Sequence, residues 1–160
     1  MARFPLELRI VAVGKLRQSH WLAAARDYQQ RLQHYFTLEV VDIRDRVGRG
    51  LSEAEAVAAE GADIQQALRR QAHLVVLEAQ GRRRDTQAFT RWLQHLLEHG
   101  PRAIDFVLGG PLGLSATVRN CAQERLSLSP MTLPHELARI VLLEQLYRAG
   151  TILRGEKYHK

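Results

Sequence analysis

Residues 103–114 read Ala-Ile-Asp-Phe-Val-Leu-Gly-Gly-Pro-Leu-Gly-Leu. A short apolar run breaks into a glycine-rich turn, the pattern of a buried strand that ends where backbone must come close to something else. The turn Gly109–Gly113 lacks the spacing of a dinucleotide fingerprint, and no Gly-Lys-Ser/Thr follows it. On the residues alone it is either a ligand cradle or a tight turn.

Working outward, the same alternation repeats in both directions. Downstream, Ser115 is placed to cap a short helix carrying Val118 and Cys121, the latter expected as a small buried apolar group. Arg125–Leu128 follows as a strand, then the connector Ser129–Leu133. A last helix opens at Pro134 and runs through Leu137, Ile140, Val141 and Leu146 to about Gly150. Upstream, Gly100-Pro101 closes a helix that Thr86 is placed to cap and that carries Phe89, Leu93, Leu96 and Leu97. His73–Leu77 reads as a strand covered on both faces, followed by a polar loop over 79–85. Ser52 and Glu55 form a capping box for a helix reaching about Arg70, weakened at Gly61. Before it lie a basic loop over 44–51, a strand at Leu38–Ile43, a helix capped at Ser19, and a first strand from Leu6 to Val13 that ends at Gly14.

The order βαβαβαβαβα predicts an α/β fold: one domain over 1–160, with a mostly parallel sheet and helices on both faces. Ligands of such sheets lie at the carboxyl ends of the strands. That places the turn after Leu77, the glycine loop and the Ser129–Leu133 connector at one site. The connector, small and apolar, suits an adenine held by main-chain bonds and apolar contact, and equally a plain packed connection.

The chain has 160 residues, 46% hydrophobic and 25% charged, as in globular domains. Its formal charge of +6 favours a polyanionic partner. The single cysteine excludes an intramolecular disulfide and suits a reducing cytoplasm. No membrane span or secretory signal is expected. The histidines show no metal-ligand spacing, so no metal is expected. Glu144 and Arg148, four apart on the last helix, share a face. Arg44, Arg46 and Arg49, the run Arg82–Arg84, and the tail from Arg154 to Lys160 are candidate phosphate contacts.

Leu8–Lys15, Phe106–Leu114, Ser127–His135, Glu144–Ala149 and Tyr158–Lys160 together resemble one family across essentially the whole chain. It is the ribosomal RNA large subunit methyltransferase H group of the SPOUT class, and the similarity is most specific from about Leu74 onward. The resemblance implies a trefoil knot over about 74–160 and a homodimer. It implies transfer of a methyl group from S-adenosylmethionine (AdoMet) to N3 of a pseudouridine in large-subunit rRNA, position 1915 in the customary rRNA numbering, on assembled ribosomes. Carried over by motif, the cofactor positions are Leu77, Gly109, Gly110, Leu128, Ser129, Pro130, Met131, Thr132 and Leu133. Arg148 and Lys160 are expected to orient the substrate, and His159 to accept the proton or position the base. The chain departs from the family pattern at Leu112, where a glutamate is usual, and at Lys160, where an arginine is usual. The remaining alternatives are another SPOUT RNA methyltransferase, acting on a ribose hydroxyl or a different base, and a non-catalytic ribosome-binding factor of the same fold.

Overall fold

The fold is described from a computed structural model covering residues 1–158. The elements follow the expected alternation: β1 (Glu7–Val13), α1 (Ser19–Leu32), β2 (Thr37–Ile43), α2 (Glu53–Ala67), β3 (His73–Arg83), α3 (Thr86–His99), β4 (Ala103–Leu108), α4 (Ala116–Cys121), β5 (Glu124–Ser127) and α5 (His135–Leu153). The five strands form one sheet in the order β2-β1-β4-β3-β5, every neighbouring pair parallel.

Alternation along each strand sends successive side chains to opposite faces. Leu8, Ile10 and Ala12 of β1 join Ile104, Phe106 and Leu108 of β4 on one face, under Leu32 of α1, Leu93 of α3 and Leu142 and Leu146 of α5. Val11, Val13, Val76 and Val107 face the other way, against Ile64 of α2 and Val118 of α4. Both faces are therefore covered, which is why the strands read as unbroken apolar runs. Asp105 interrupts its run and is buried, and Arg69 meets it twice: its backbone N–H donates to Oδ2 at 2.7 Å and its Nε to Oδ1 at 2.8 Å.

Local chemistry sets the helix starts. Ser52 accepts the Glu55 N–H at 3.1 Å and donates to the Glu55 carboxylate at 3.0 Å, a variant of the expected capping box. Ser115 caps α4 through the Val118 N–H. The cap of α3 is Asp85 rather than Thr86, because the Asp85 carboxylate accepts the Ala88 N–H at 2.7 Å. Thr86 instead donates to Gln145 of α5. Ser19 begins α1 rather than capping it; Gln18 holds the cap position without a side-chain bond.

Three further expectations change. The polar stretch after Leu77 is not a loop: β3 continues to Arg83, leaving the ladder after Leu77 and rejoining it at Arg82, so that both residues pair with Leu126. The irregularity is a bulge, hidden from periodicity by its polar residues. Gly81 permits the close passage, since a Cβ there would stand 2.8 Å from the Arg125 backbone. Second, α5 passes through Gly150 to Leu153, because the absence of a side chain at Gly150 lets the helix lie against Tyr35. Third, Cys121 is exposed, since Val118 is the buried position of the short α4 and the helix ends at Cys121 itself.

Candidate active site

With all strands parallel, their carboxyl ends share one rim. A cavity of about 840 Å³ opens there, walled by the ends of β3, β4 and β5. Its size falls within the range of small-molecule sites. Leu77, Gly109, Gly110, Leu128, Ser129, Met131, Thr132 and Leu133 all line it; of the nine expected cofactor positions, Pro130 alone is not in the wall. Periodicity placed three bends at this rim, and the sheet order makes them neighbours because β3 sits between β4 and β5.

The glycine loop is drawn in by its own backbone: the Gly113 N–H donates to the Gly110 carbonyl at 3.0 Å, and the two residues form an isolated bridge. A Cβ on Gly109 would lie 2.9 Å from the Gly113 carbonyl carbon, and one on Gly110 would lie 3.0 Å from Val13 Cγ1. A side chain at Gly109 would thus collide with backbone and one at Gly110 would press on Val13, so main-chain atoms of these two residues form this part of the wall. Opposite, the Ser129 hydroxyl accepts the Met131 N–H at 2.9 Å and shapes the connector into a tight bend, leaving Met131, a residue of the cavity wall, 76% exposed. Such a mixture of bare backbone, aliphatic walls and hydroxyls suits a purine nucleoside, with Arg119 bringing a guanidinium to the same wall.

Several wall residues carry no strong signal in the sequence. Glu78, in the bulge of β3, lines the cavity and lies 3.6 Å from Arg125. It brings a carboxylate to a wall where Leu112 brings none. His135 and Ala138 enter from the first turns of α5, with His135 Nε2 3.1 Å from the Glu136 carboxylate. Arg139, itself buried, fixes this end of α5. It donates to Asp42 at 2.8 Å and to the Gly14 carbonyl at 2.6 Å, tying the helix to the ends of β1 and β2.

Arg148 stands elsewhere. It is ten residues beyond Ala138 on α5, roughly 15 Å along the helix axis, and is absent from the wall of its own chain's cavity. Its guanidinium donates twice to Glu144 Oε1, at 3.0 and 2.8 Å, and stacks 3.6 Å from the centre of the Tyr158 ring. Tyr158 donates to the same carboxylate oxygen at 2.8 Å. The bond to Glu144 holds the Arg148 guanidinium above its usual pKa, so it stays a cation at every working pH. Burial, and then the Glu144 hydrogen bond, push the Tyr158 phenol up to about 12. His159 and Lys160 lie outside the described residues.

Of the two arginine runs, the second divides: Arg84 is consumed by Glu124 and stacks on Trp92, while Arg82 and Arg83 are exposed. Among the described residues there is no cluster of metal-ligating side chains, and no helix is long and apolar enough to cross a membrane.

Comparison with known proteins bears directly on this rim. The family model described as "Predicted SPOUT methyltransferase" matches residues 6–159. The chain belongs to the SPOUT methyltransferase family. Among its SPOUT relatives, a ribosomal RNA large subunit methyltransferase H from Gemmatimonas aurantiaca is 42% identical over 155 residues, covering 97% of this chain and 100% of the relative. A protein of the same name from Nitratidesulfovibrio vulgaris is 41% identical, covering 95% and 97%. The SPOUT fold recurs in a structure from Bordetella pertussis described as a probable methyltransferase, with a TM-score of 0.55 at 18% identity, covering 91% of this chain and 96% of that one. It recurs in a Legionella pneumophila protein solved with the cofactor SAM bound, with a TM-score of 0.51 at 14% identity, covering 91% and 67%.

Proposed function

We propose that this chain transfers a methyl group from AdoMet to N3 of a pseudouridine in large-subunit rRNA, position 1915 in the customary numbering, on the assembled ribosome in the cytoplasm. The observation that carries this is the rim cavity. Eight of the nine positions carried over by motif line it, and its glycine wall presents backbone where a side chain would collide with or press on its neighbours. The relatives' shared name supplies the rRNA substrate.

The residues present fit the cofactor. Leu77, Leu128 and Leu133 form apolar walls for an adenine, while Gly109 and Gly110 expose main-chain groups to it. Glu78 offers a carboxylate to ribose hydroxyls or to an ammonium group. AdoMet supplies a methyl already activated on a sulfonium. The chain must then align the nucleobase and ease loss of the N3 proton, and alignment alone contributes several kcal/mol. Each pK unit between the imide and ambient pH costs about 1.4 kcal/mol. A permanent cation near the base lowers that gap, and the substrate-orienting role is assigned to Arg148 and Lys160. His159 is assigned the proton-accepting or base-positioning role.

The distance between Arg148 and its own chain's cavity supports a homodimer. In that reading, α5 and the tail of one subunit complete the site of the other. The trefoil knot over about 74–160, in which the C-terminal segment threads through a loop, belongs to the same reading.

The deciding experiment measures methyl transfer to 70S ribosomes, 50S subunits and naked rRNA, with mass spectrometry of the modified nucleotide. Calorimetry with AdoMet is run separately. Methylation of a ribose or another base refutes the substrate; no heat at millimolar AdoMet refutes the enzyme and favours a ribosome-binding factor. Sedimentation showing an active monomer refutes the shared site.

A further inference from the structure

The basic loop after β2 takes no part in the cavity wall, yet it is built with care. Residues 44–50 leave the same rim as the cavity, one strand beyond β1. The Arg46 N–H donates to the Glu60 carboxylate at 2.8 Å, and the Val47 N–H to Asp45 at 2.9 Å. Arg46 pairs with Asp63 of α2 at 2.8 Å. Glu60 itself is 2% exposed, a buried carboxylate in mid-helix. Desolvation of an acid is costly, so its retention needs a reason. Its second oxygen lies 3.9 Å from where a Gly110 Cβ would stand. One buried group therefore touches both the base of the basic loop and the back of the glycine wall.

What this anchoring holds out to solvent is positive charge. Arg44 and Arg49 are exposed, and neither joins an ion pair among the described residues. Among the described residues, the side chain of Arg49 makes one hydrogen bond, from Nε to the Asp45 carbonyl, which orients the guanidinium and leaves its terminal nitrogens without a partner there. The adjoining turn after β1 is bonded to the end of β2 through the Gly14 N–H and the Ile43 carbonyl at 2.8 Å. It adds Lys15 and Arg17, both exposed and likewise outside any such pair. By contrast, Arg46, Arg69 and Arg139 are committed to carboxylates within the fold. Four exposed cations on two adjoining braced turns offer the repeated positive charge that phosphate contacts use, and bracing lowers the ordering cost of binding.

We propose that the β2–α2 loop, with Arg44 and Arg49 as its contacts and Lys15 and Arg17 beside them, is a docking arm for the phosphate backbone of the substrate RNA, held in register with the cofactor wall by Glu60. This rests on the reading of the cavity as an rRNA methyltransferase site, and extends it to the surface that seats the RNA. Phosphate contacts position a nucleic acid without reading its sequence. They also make affinity salt-dependent, because each neutralised phosphate releases counterions.

The test compares wild type with Arg44→Ala/Arg49→Ala in binding to purified 70S ribosomes between about 50 and 200 mM salt. Both positions are exposed, so the variant is expected to keep the wild-type melting temperature and AdoMet affinity. The slope of log affinity against log salt should fall by about two, near one per contact removed. Affinity at the lowest salt should fall at least tenfold, and Arg44→Lys/Arg49→Lys should recover most of the slope. Glu60→Gln, which keeps an acceptor for the Arg46 N–H, should bind ribosomes nearly as wild type, whereas Glu60→Ala should weaken ribosome binding. An unchanged slope in the double alanine variant overturns the proposal, as does a parallel loss of AdoMet affinity. Equal binding to phosphatidylglycerol vesicles, lost in the same variant, reassigns the arm to anionic surfaces and overturns it too. If wild type moves no methyl group while the slope change is seen, the enzymatic reading fails and the docking arm stands.

Discussion

Gly109→Ala is the perturbation for which the structure gives the sharpest expectation. The new Cβ would lie 2.9 Å from the Gly113 carbonyl carbon, 3.1 Å from its oxygen and 3.1 Å from Leu114 Cδ2. Two of these neighbours are backbone held by the Gly110–Gly113 bridge, so they cannot rotate away as a long side chain would. Ordinary contact needs about half an ångström more, and overpacking of this kind costs about 1–3 kcal/mol. For a chain of this size each kcal/mol lowers Tm by about 2–4 °C, so a fall of about 4–8 °C corresponds to the middle of that range. The loop must also open to admit the methyl group, moving its main-chain atoms off the cavity wall. AdoMet affinity is then expected to fall at least tenfold even at temperatures where the variant is fully folded. Calorimetric melting gives the first number and AdoMet titration the second. A melting temperature within a degree of wild type together with AdoMet affinity within twofold would refute the claim that this wall is backbone packed on backbone.

Further outcomes follow from the same contacts. Gly61→Ala, favourable by about 1 kcal/mol on helix propensity, should instead destabilise, because its Cβ would meet Ser115 Oγ at 2.5 Å and disturb the cap of α4; urea unfolding gives the sign. Arg69→Ala strands the buried Asp105 carboxylate and should cost about 3–5 kcal/mol, while Asp105→Asn in that background should restore part of it, both read from denaturant midpoints. Tyr35 and Tyr158 should ionise near 12, since burial and a neighbouring carboxylate raise both, and Glu144→Gln should lower Tyr158 specifically in an ultraviolet titration. Because both phenols are raised on folding, their contribution to stability is complete below about pH 10 and lost between about 10 and 12, so the native state should weaken across that window. Arg148→Ala should abolish methyl transfer while AdoMet affinity stays within a fewfold, because its guanidinium is outside its own chain's cavity wall; lost affinity would reassign it to structure.

Local pattern determined the succession of elements. Apolar runs bounded by glycine and proline set β4 and the glycine loop, and capping chemistry at Ser52 and Ser115 set the starts of α2 and α4. Because a buried parallel strand must be apolar on both faces, the sheet class was also written locally, as was the rim on which any ligand would sit. The motifs in the last half of the chain carried the family, and with it most of the cavity wall. Long-range contact decided the rest. The bulge that extends β3 to Arg83 depends on pairing with β5 some forty residues later, so its polar sequence looked like a loop. Glu78 and His135 reach the cavity only because β3 and α5 converge there, and the burial of Glu60 depends on what packs over α2. Whether an arginine is spent on a carboxylate or left facing solvent is equally a matter of neighbours distant in the chain: Arg46 and Arg49 look alike as a sequence, and only packing against Asp63 separates them. Strand, turn and cap are short-range free energies, whereas burial and ion pairing belong to contacts that exist only once the chain has closed on itself.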